Sequence, residues 1–160
     1  MKKRIIQVAG NPQYARKPRP SEPIINPATG LPQFGFFPSI NSRGVIFVGG
    51  PILLRYGEHY SIGRGWGFEH IWQARFPECQ DQHSATQKVI ALICSIITSG
   101  AKIHYEYVGH GSGSNRSSVF KSKAGVVIVE ERQDGQNSTF YSIVTAFFAQ
   151  KVYGPVIGAI

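Results

Sequence analysis

The chain contains few cysteines, and their spacing argues against several kinds of site. Two of its 160 residues are cysteines, Cys79 and Cys94. They form no C-x-x-C motif and the histidines form no H-x-x-x-H pair, so we expect neither a metal nor another cofactor. Cys94 falls in an apolar helical run and is interpreted as a small buried residue. A disulfide with Cys79 stays open for an oxidising compartment.

Acidic residues are also scarce in this sequence. The chain has 9 Asp and Glu residues against 17 Lys and Arg residues, which gives a net charge of +8. Such a chain attracts polyanions and releases counterions when it binds nucleic acid. We therefore expect nucleic acid as the first partner and an acidic protein as the second.

Long hydrophobic runs are missing as well. The longest one, residues 89–97, is about half as long as a membrane-crossing helix requires. The apolar stretch after Lys2, Lys3 and Arg4 is too short for a conventional signal peptide. We expect a monomer that acts in the cytoplasm without contacting a membrane, either as made or after delivery into a target cell.

Proline is unevenly distributed, and this sets the predicted domain boundary. Prolines recur through residues 11–38, a composition that resists regular structure. We predict that residues 1–44 form an arm or linker and that residues 45–160 form one domain. The aromatic stretch at residues 34–37 would hold the end of this arm against the domain.

The first ordered elements predicted are a hairpin and two helices. Residues 45–48 and 52–54 are apolar, and the segments 45–48 and 52–55 flank the turn sequence Gly49-Gly50-Pro51, which indicates a hairpin. Residues 68–76 predict a short helix. Ser84 and Gln87 form a capping-box signature ahead of apolar residues at helical spacing, and Gly100 would end this second helix.

Four strands are predicted to follow the helices. Residues 102–108 alternate between apolar and polar side chains, and residues 119–121 form a short strand. Residues 125–131 are apolar enough for a central strand, and Asp134-Gly135 would join it to a last strand at residues 139–148. These elements predict an α+β fold with an N-terminal hairpin and helices packed on a four-stranded antiparallel sheet.

The strongest candidate chemistry lies in the glycine-rich residues 57–70. Metal-free RNA cleavage needs a base, an acid and groups that stabilise phosphate charge, and histidine suits both proton transfers. His59 and His70 flank glycines whose amides could approach a phosphate, with Arg64 as a charge partner. The alternative stays open that His59 ends a strand, His70 makes a packing hydrogen bond and the glycines only form turns.

Several further residues are candidates for binding substrate. His110 lies in a loop rich in glycine and serine, and Lys121 beside a turn could reach a phosphate. Tyr141 and Thr145 share one face of the last strand, so their hydroxyls could line a cleft. For each of these residues an ordinary solvated or core position is the alternative. His83 and His104 are interpreted as a surface or capping residue and as part of an exposed sheet face.

Three short motifs together carry a resemblance to a known family. The motifs are Gly57-Glu58-His59, Gly65-Trp66-Gly67-Phe68-Glu69-His70-Ile71-Trp72 and Tyr141-Ser142-Ile143-Val144-Thr145-Ala146-Phe147. They resemble the Barnase/EndoU/Colicin/RelE-type ribonucleases, most closely their EndoU-like and phage- or polymorphic-toxin branches, and the resemblance spans residues 45–148. It implies a metal-independent endoribonuclease that produces a 2′,3′-cyclic phosphate, often from tRNA, and a toxin that an acidic immunity protein neutralises.

The resemblance also implies roles for individual residues. His59 and His70 would carry the acid–base chemistry, and Thr145 would contact the substrate. Arg75 stands where the toxin branch often has a second histidine, so it would stabilise charge but could not move protons at neutral pH.

Two alternative functions use the same basic surface without catalysis. In the first, a nucleic-acid-binding module stacks bases on Trp66 and Trp72. In the second, an interaction domain docks its basic face on an acidic protein. Of the three hypotheses, only the ribonuclease requires His59 and His70 to lie within reach of one phosphate.

Overall fold

Strands dominate the protein. The computed structural model describes residues 6–8, 11–14, 17–106, 115–148, 151–152 and 154–160. Within these ranges the chain forms thirteen strands and two helices. The elements before the second helix are β1 (Ile6–Val8), β2 (Asn11–Tyr14), β3 (Gln33–Phe37), β4 (Ile40–Ser42), β5 (Val45–Phe47), β6 (Gly50–Leu53), β7 (Glu58–Ser61), β8 (Arg64–Trp66) and α1 (Gly67–Arg75). The remaining elements are α2 (Gln82–Ile96), β9 (Lys102–Glu106), β10 (Ser117–Ser122), β11 (Gly125–Gln133), β12 (Thr139–Phe147) and β13 (Val156–Ala159).

The main sheet has seven strands in the order β13-β9-β10-β11-β12-β6-β3 and curls into a half-barrel. Its neighbours are antiparallel except β12 and β6, which run parallel and pair Tyr141 with Ile52. The predicted fold, with an N-terminal hairpin and helices on a four-stranded sheet, is therefore wrong. The four predicted strands form only the centre of a larger sheet, and eight described strands precede the first helix.

The predicted hairpin at residues 45–55 is also wrong, because its two halves pair elsewhere. β5 pairs with β4, whereas β6 pairs with β3 and β12. Gly50 starts a strand instead of forming a turn, since the backbone of β12 comes very close to it. A Cβ at Gly50 would lie 2.4 Å from the carbonyl oxygen of Thr139. The glycine thus marks close packing of two strands.

Both predicted helices are present, and the second begins earlier than its capping signature indicates. The Asp81 side chain accepts a hydrogen bond from the Ser84 backbone amide at 2.8 Å, so Asp81 is the N-cap. The buried side of α2 includes Val89, Ile93 and Ile96. It packs on one face of the main sheet and forms the larger core with it.

The proline-rich segment contributes to this core. Ile24 and Phe37 are almost completely buried, and β3 lies at the edge of the main sheet. Phe37 stacks on Tyr141 of β12 with ring centroids 3.9 Å apart. Composition alone predicts an arm here, but the apolar residues between the prolines are packed into the domain.

A smaller apolar cluster covers the opposite face of the sheet. It is built from Val119, Val126, Ile128 and Val144, with Trp66, Phe147 and Val152 packed against it. A bulge in the β11–β12 pairing shifts the register between Ile128 and Val129. Among the described residues, neither helix has the length and apolar composition that a membrane crossing requires.

Candidate functional site

The β7–β8 hairpin and α1 bring His59 and His70 together. His59 lies on β7, and His70 lies in the first half of the helix that directly follows β8. Their Nδ1 atoms are 3.0 Å apart, the ring centroids are 5.2 Å apart, and the ring planes meet at 27°. The two histidines that the sequence singles out therefore form one hydrogen-bonded pair.

Two glycines explain why the two rings can approach each other. Gly65 lies opposite His59 in the hairpin, and a Cβ there would come within 2.6 Å of Nδ1 of His70. Gly57 has a φ of +73°, and a Cβ on it would overlap the carbonyl oxygen of Trp66. These glycines provide room for the backbone and for the histidine pair.

Two backbone amides at the start of α1 already have partners. The Phe68 amide donates to the carbonyl oxygen of Arg55 at 2.9 Å, and the Glu69 amide donates to that of Tyr56 at 2.8 Å. These two donors are therefore not available to a phosphate. Binding of a phosphate by other amides of residues 57–70 stays a prediction.

Burial and neighbouring charge keep His70 neutral. Only 4% of its surface is exposed. Burial lowers the pKa of His70 below its ordinary value of 6.5, and His59 and Arg75 lower it further. At neutral pH the imidazole of His70 is therefore uncharged.

When both imidazoles are uncharged, the hydrogen bond between them fixes complementary tautomers. One Nδ1 must donate its hydrogen and the other must accept it. The donor ring then has a free lone pair at Nε2, and the acceptor ring has a hydrogen at Nε2. No other hydrogen bond to either ring occurs within the described part of the chain. The pair thus offers one base and one acid.

Arg75 lies at the other end of α1 and is held against β12. Its Nε donates to the carbonyl oxygen of Ala146 at 3.0 Å, and its guanidinium lies 5.3 Å from the ring centroid of Phe147. Burial lowers the pKa of Arg75, which still leaves it charged at neutral pH. Thr145, the neighbour of Ala146, is buried, and its hydroxyl has no hydrogen-bond partner among the described residues.

The other predicted substrate-binding residues are spread over the molecule. Arg64 is exposed at the start of β8, and Trp66 is half-buried. Lys121 lies on β10 opposite Lys102 of β9. Tyr141 belongs to the core, where its hydroxyl donates to the carbonyl oxygen of Val48 and burial raises its pKa. His110 lies outside the described residues.

Arg55 is a candidate that the sequence does not reveal. Its guanidinium lies over two aromatic rings. It is 4.4 Å from the ring centroid of Trp66 and 5.4 Å from the ring centroid of Phe140. Its Nε donates to the hydroxyl of Ser142 at 2.9 Å. The sequence assigns Arg55 to the end of a hairpin strand, and no local pattern connects it with residues so distant along the chain.

His104 differs from its predicted role on an exposed sheet face. Its Nδ1 is 3.1 Å from the carbonyl oxygen of Gly154, and its Nε2 is buried without a hydrogen-bond partner in the described ranges. Strand alternation places it correctly on the face opposite Ile103. Strand alternation does not indicate that the C-terminal segment, which carries Gly154, lies against this face.

No three histidine, cysteine, aspartate or glutamate side chains gather closely enough to hold a metal ion in the part of the chain that the structure describes. Comparison with protein-family models, curated proteins and solved structures finds no match to this chain. The resemblance to the Barnase/EndoU/Colicin/RelE-type ribonucleases therefore stays a prediction.

Proposed function

We propose that the protein is a metal-independent endoribonuclease whose acid and base are the paired histidines. The observation that carries this proposal is the 3.0 Å contact between Nδ1 of His59 and Nδ1 of His70. In its uncharged form such a pair presents one Nε2 that accepts a proton and one that donates it. Cleavage of RNA by its own 2′-hydroxyl needs this combination.

The proposed reaction moves one proton at each end of the pair. The free Nε2 takes the 2′-hydroxyl proton while O2′ forms a bond to phosphorus. The bond from phosphorus to O5′ breaks, and the other Nε2 gives its hydrogen to the departing oxygen. The hydrogen between the two Nδ1 atoms shifts from one ring to the other, so both rings stay neutral. The products are a 2′,3′-cyclic phosphate and a 5′-hydroxyl.

Nearby cations support this chemistry through their charge. Arg75 is anchored beside Phe147 within electrostatic range of His70, and Arg64 is exposed at the β7–β8 hairpin. A cation close to the reacting phosphate stabilises the charge that develops there. The net charge of +8 draws RNA to the protein from a distance.

The resemblance extends the proposal from the reaction to its biological setting. In that setting the protein is a bacterial toxin domain that cleaves RNA, tRNA among the candidates, in the cytoplasm of a target cell. An acidic immunity protein would neutralise it, because opposite charge speeds its capture.

Cleavage of total RNA in EDTA tests the proposal directly. We expect discrete fragments with cyclic-phosphate ends from the wild-type protein. His59→Ala and His70→Ala should each reduce the rate by about 10²- to 10⁴-fold, the usual contribution of a general acid or base. His83→Ala, which removes a histidine outside the pair, should cleave like the wild type.

Intact RNA at high protein concentration would contradict the proposal and favour the non-catalytic hypotheses. The structure offers the base-stacking hypothesis little support. Trp66 is covered by Arg55, and Trp72 is half-buried with its Nε1 donating to the carbonyl oxygen of Cys79.

A further inference from the structure

A cleft of about 440 Å³ lies beside the β11–β12 turn, and the proposed reaction does not use it. This volume falls in the usual range for small-molecule sites, roughly 300 to 1,000 Å³. Its apolar wall is formed by Pro23, Pro51, Leu53 and Phe140. Arg55 supplies the positive charge in its lining.

Arg55 makes few polar contacts with the described part of the protein. It is half-buried between Trp66 and Phe140, and of its five N–H groups only the one on Nε donates to a described residue, Ser142. No carboxylate of the described residues forms an ion pair with Arg55. Glu130 acts on the charge of Arg55 from a greater distance and forms its ion pair with Arg132 at 3.5 Å. An anionic ligand could therefore supply a closer partner for the half-buried guanidinium.

Arg55 carries its positive charge at neutral pH. Burial and, to a smaller extent, the charge of Arg132 lower the pKa of Arg55 to about 10, while the charge of Glu130 acts in the opposite direction. Asp134 also lines the cleft, but its Oδ1 already accepts hydrogen bonds from the amides of Gln136 and Ser138. Arg55 therefore remains the cationic residue of the cleft lining, and its terminal nitrogens make no hydrogen bond to a described residue.

We propose that this cleft binds one nucleotide of an RNA strand, with its phosphate on Arg55 and its base against the wall of Pro23, Pro51 and Phe140. A planar guanidinium matches two phosphate oxygens at once. The apolar wall and the Phe140 ring suit the flat face of a base. A free phosphate would use only the charged part of the cleft, and a nucleoside only the apolar part.

This site lies apart from the histidine pair. Trp66, which Arg55 covers, follows Gly65 in β8, and side chains of adjacent strand residues point to opposite faces. The cleft would therefore hold a nucleotide away from the cut. Its use during cleavage rests on the proposed function, whereas binding of a mononucleotide does not.

The test is calorimetric titration of the full chain with adenosine 5′-monophosphate, adenosine and inorganic phosphate as separate probes. We expect the nucleotide to bind at least about tenfold more tightly than either of the others. Arg55→Gln should weaken nucleotide binding about 10- to 100-fold, the usual loss for a charge-assisted hydrogen-bonded contact. Arg43→Gln removes the same charge from an exposed turn and should change the affinity less than about twofold.

A second variant blocks the cleft without changing Arg55. Ser138 is exposed at the rim, so Ser138→Trp should fill the cleft and weaken nucleotide binding while the melting temperature stays the same. Equal affinity for nucleotide and inorganic phosphate, or unchanged binding in both Arg55→Gln and Ser138→Trp, would overturn the proposal. Nucleotide binding by a protein that leaves RNA intact would support this site and contradict the ribonuclease.

Discussion

At the scale of single residues, the contact between His59 and His70 determines how the proposed activity depends on pH. A proton added to the pair leaves hydrogens on both Nε2 atoms, so the base is lost. Burial, with the charges of His59 and Arg75, lowers the pKa of His70, so His70 itself stays neutral somewhat below pH 6.5. We expect the cleavage rate to stay level from neutral to mildly alkaline pH and to fall at acidic pH, where the pair takes up a proton.

Initial rates on a short oligonucleotide between pH 4.5 and 8.5 would measure this profile. A rate that also declines above neutral pH would indicate that one histidine acts as a charged acid, which the shared-hydrogen mechanism does not allow.

His70 should also make the stability of the fold depend on pH. Its pKa is lower in the folded protein than in the unfolded chain, so the unfolded chain takes up a proton first as the pH falls. The stabilising contribution is complete above about pH 6.5 and is lost as the pH falls through the folded-state pKa. Urea unfolding across this range should show a weaker pH dependence for His70→Gln than for the wild type. An identical dependence would contradict the expected shift.

Gly65 gives a prediction about space beside the histidine pair. A methyl group there would collide with His70 and with the carbonyl oxygen of Glu58, whereas a methyl group on Gly63 meets no atom within 4 Å. Both glycines have positive φ angles, so Gly63→Ala controls for backbone strain. We expect Gly65→Ala to destabilise the protein by about 1–3 kcal/mol more than Gly63→Ala, and only Gly65→Ala to abolish cleavage. Chemical denaturation and rate measurements on both variants would decide this.

At the scale of elements, α2 shows how a local signal can name a helix and misplace its start. Ser84 and Gln87 match a capping box, yet Asp81 accepts the amide of Ser84 and caps the helix. We expect Asp81→Ala to lower the free energy of unfolding by about 1 kcal/mol. Gln80→Ala, at the exposed residue just before it, should have little effect. Urea denaturation of the two variants tests the assignment, and equal stabilities would refute it.

The sequence predicts elements well where the pairing is local. α1, α2 and the antiparallel run from β9 to β12 follow from apolar periodicity and from the turn at Asp134-Gly135. β6 is different, because its partners β3 and β12 come from opposite sides of it in the sequence. No short-range pattern distinguishes such a strand from half of a hairpin.

The residues of the candidate site show the same difference between local contacts, which the sequence predicts, and distant contacts, which it does not. His59 and His70 are close in sequence, and the glycines between them indicate a tight arrangement. Arg55 and Ser142 are 87 residues apart, so their contact depends on the complete sheet. The buried Nε2 of His104 likewise depends on the C-terminal segment that carries Gly154.

At the scale of the whole molecule, the proline-rich segment is a structural part of the sheet. Phe37 is fully buried, whereas its neighbour Phe36 is 55% exposed. We expect Phe37→Ala to cost about 3–5 kcal/mol of stability and Phe36→Ala about 0.5 kcal/mol. Thermal or urea unfolding of the pair would test this. A small effect at Phe37 would restore the interpretation of this segment as a loosely attached arm.

The parallel pairing of β6 with β12 also affects how the chain is made. During synthesis the ribosome releases β3 and β6 long before it releases β12, since Leu53 pairs with Ser142. One edge of β6 therefore stays unpaired, and its apolar side chains stay exposed, while the chain between β6 and β12 is synthesised. Until then the Phe37 ring has no Tyr141 to stack on. A newly made chain is therefore open to chaperones, or to aggregation, for most of its translation.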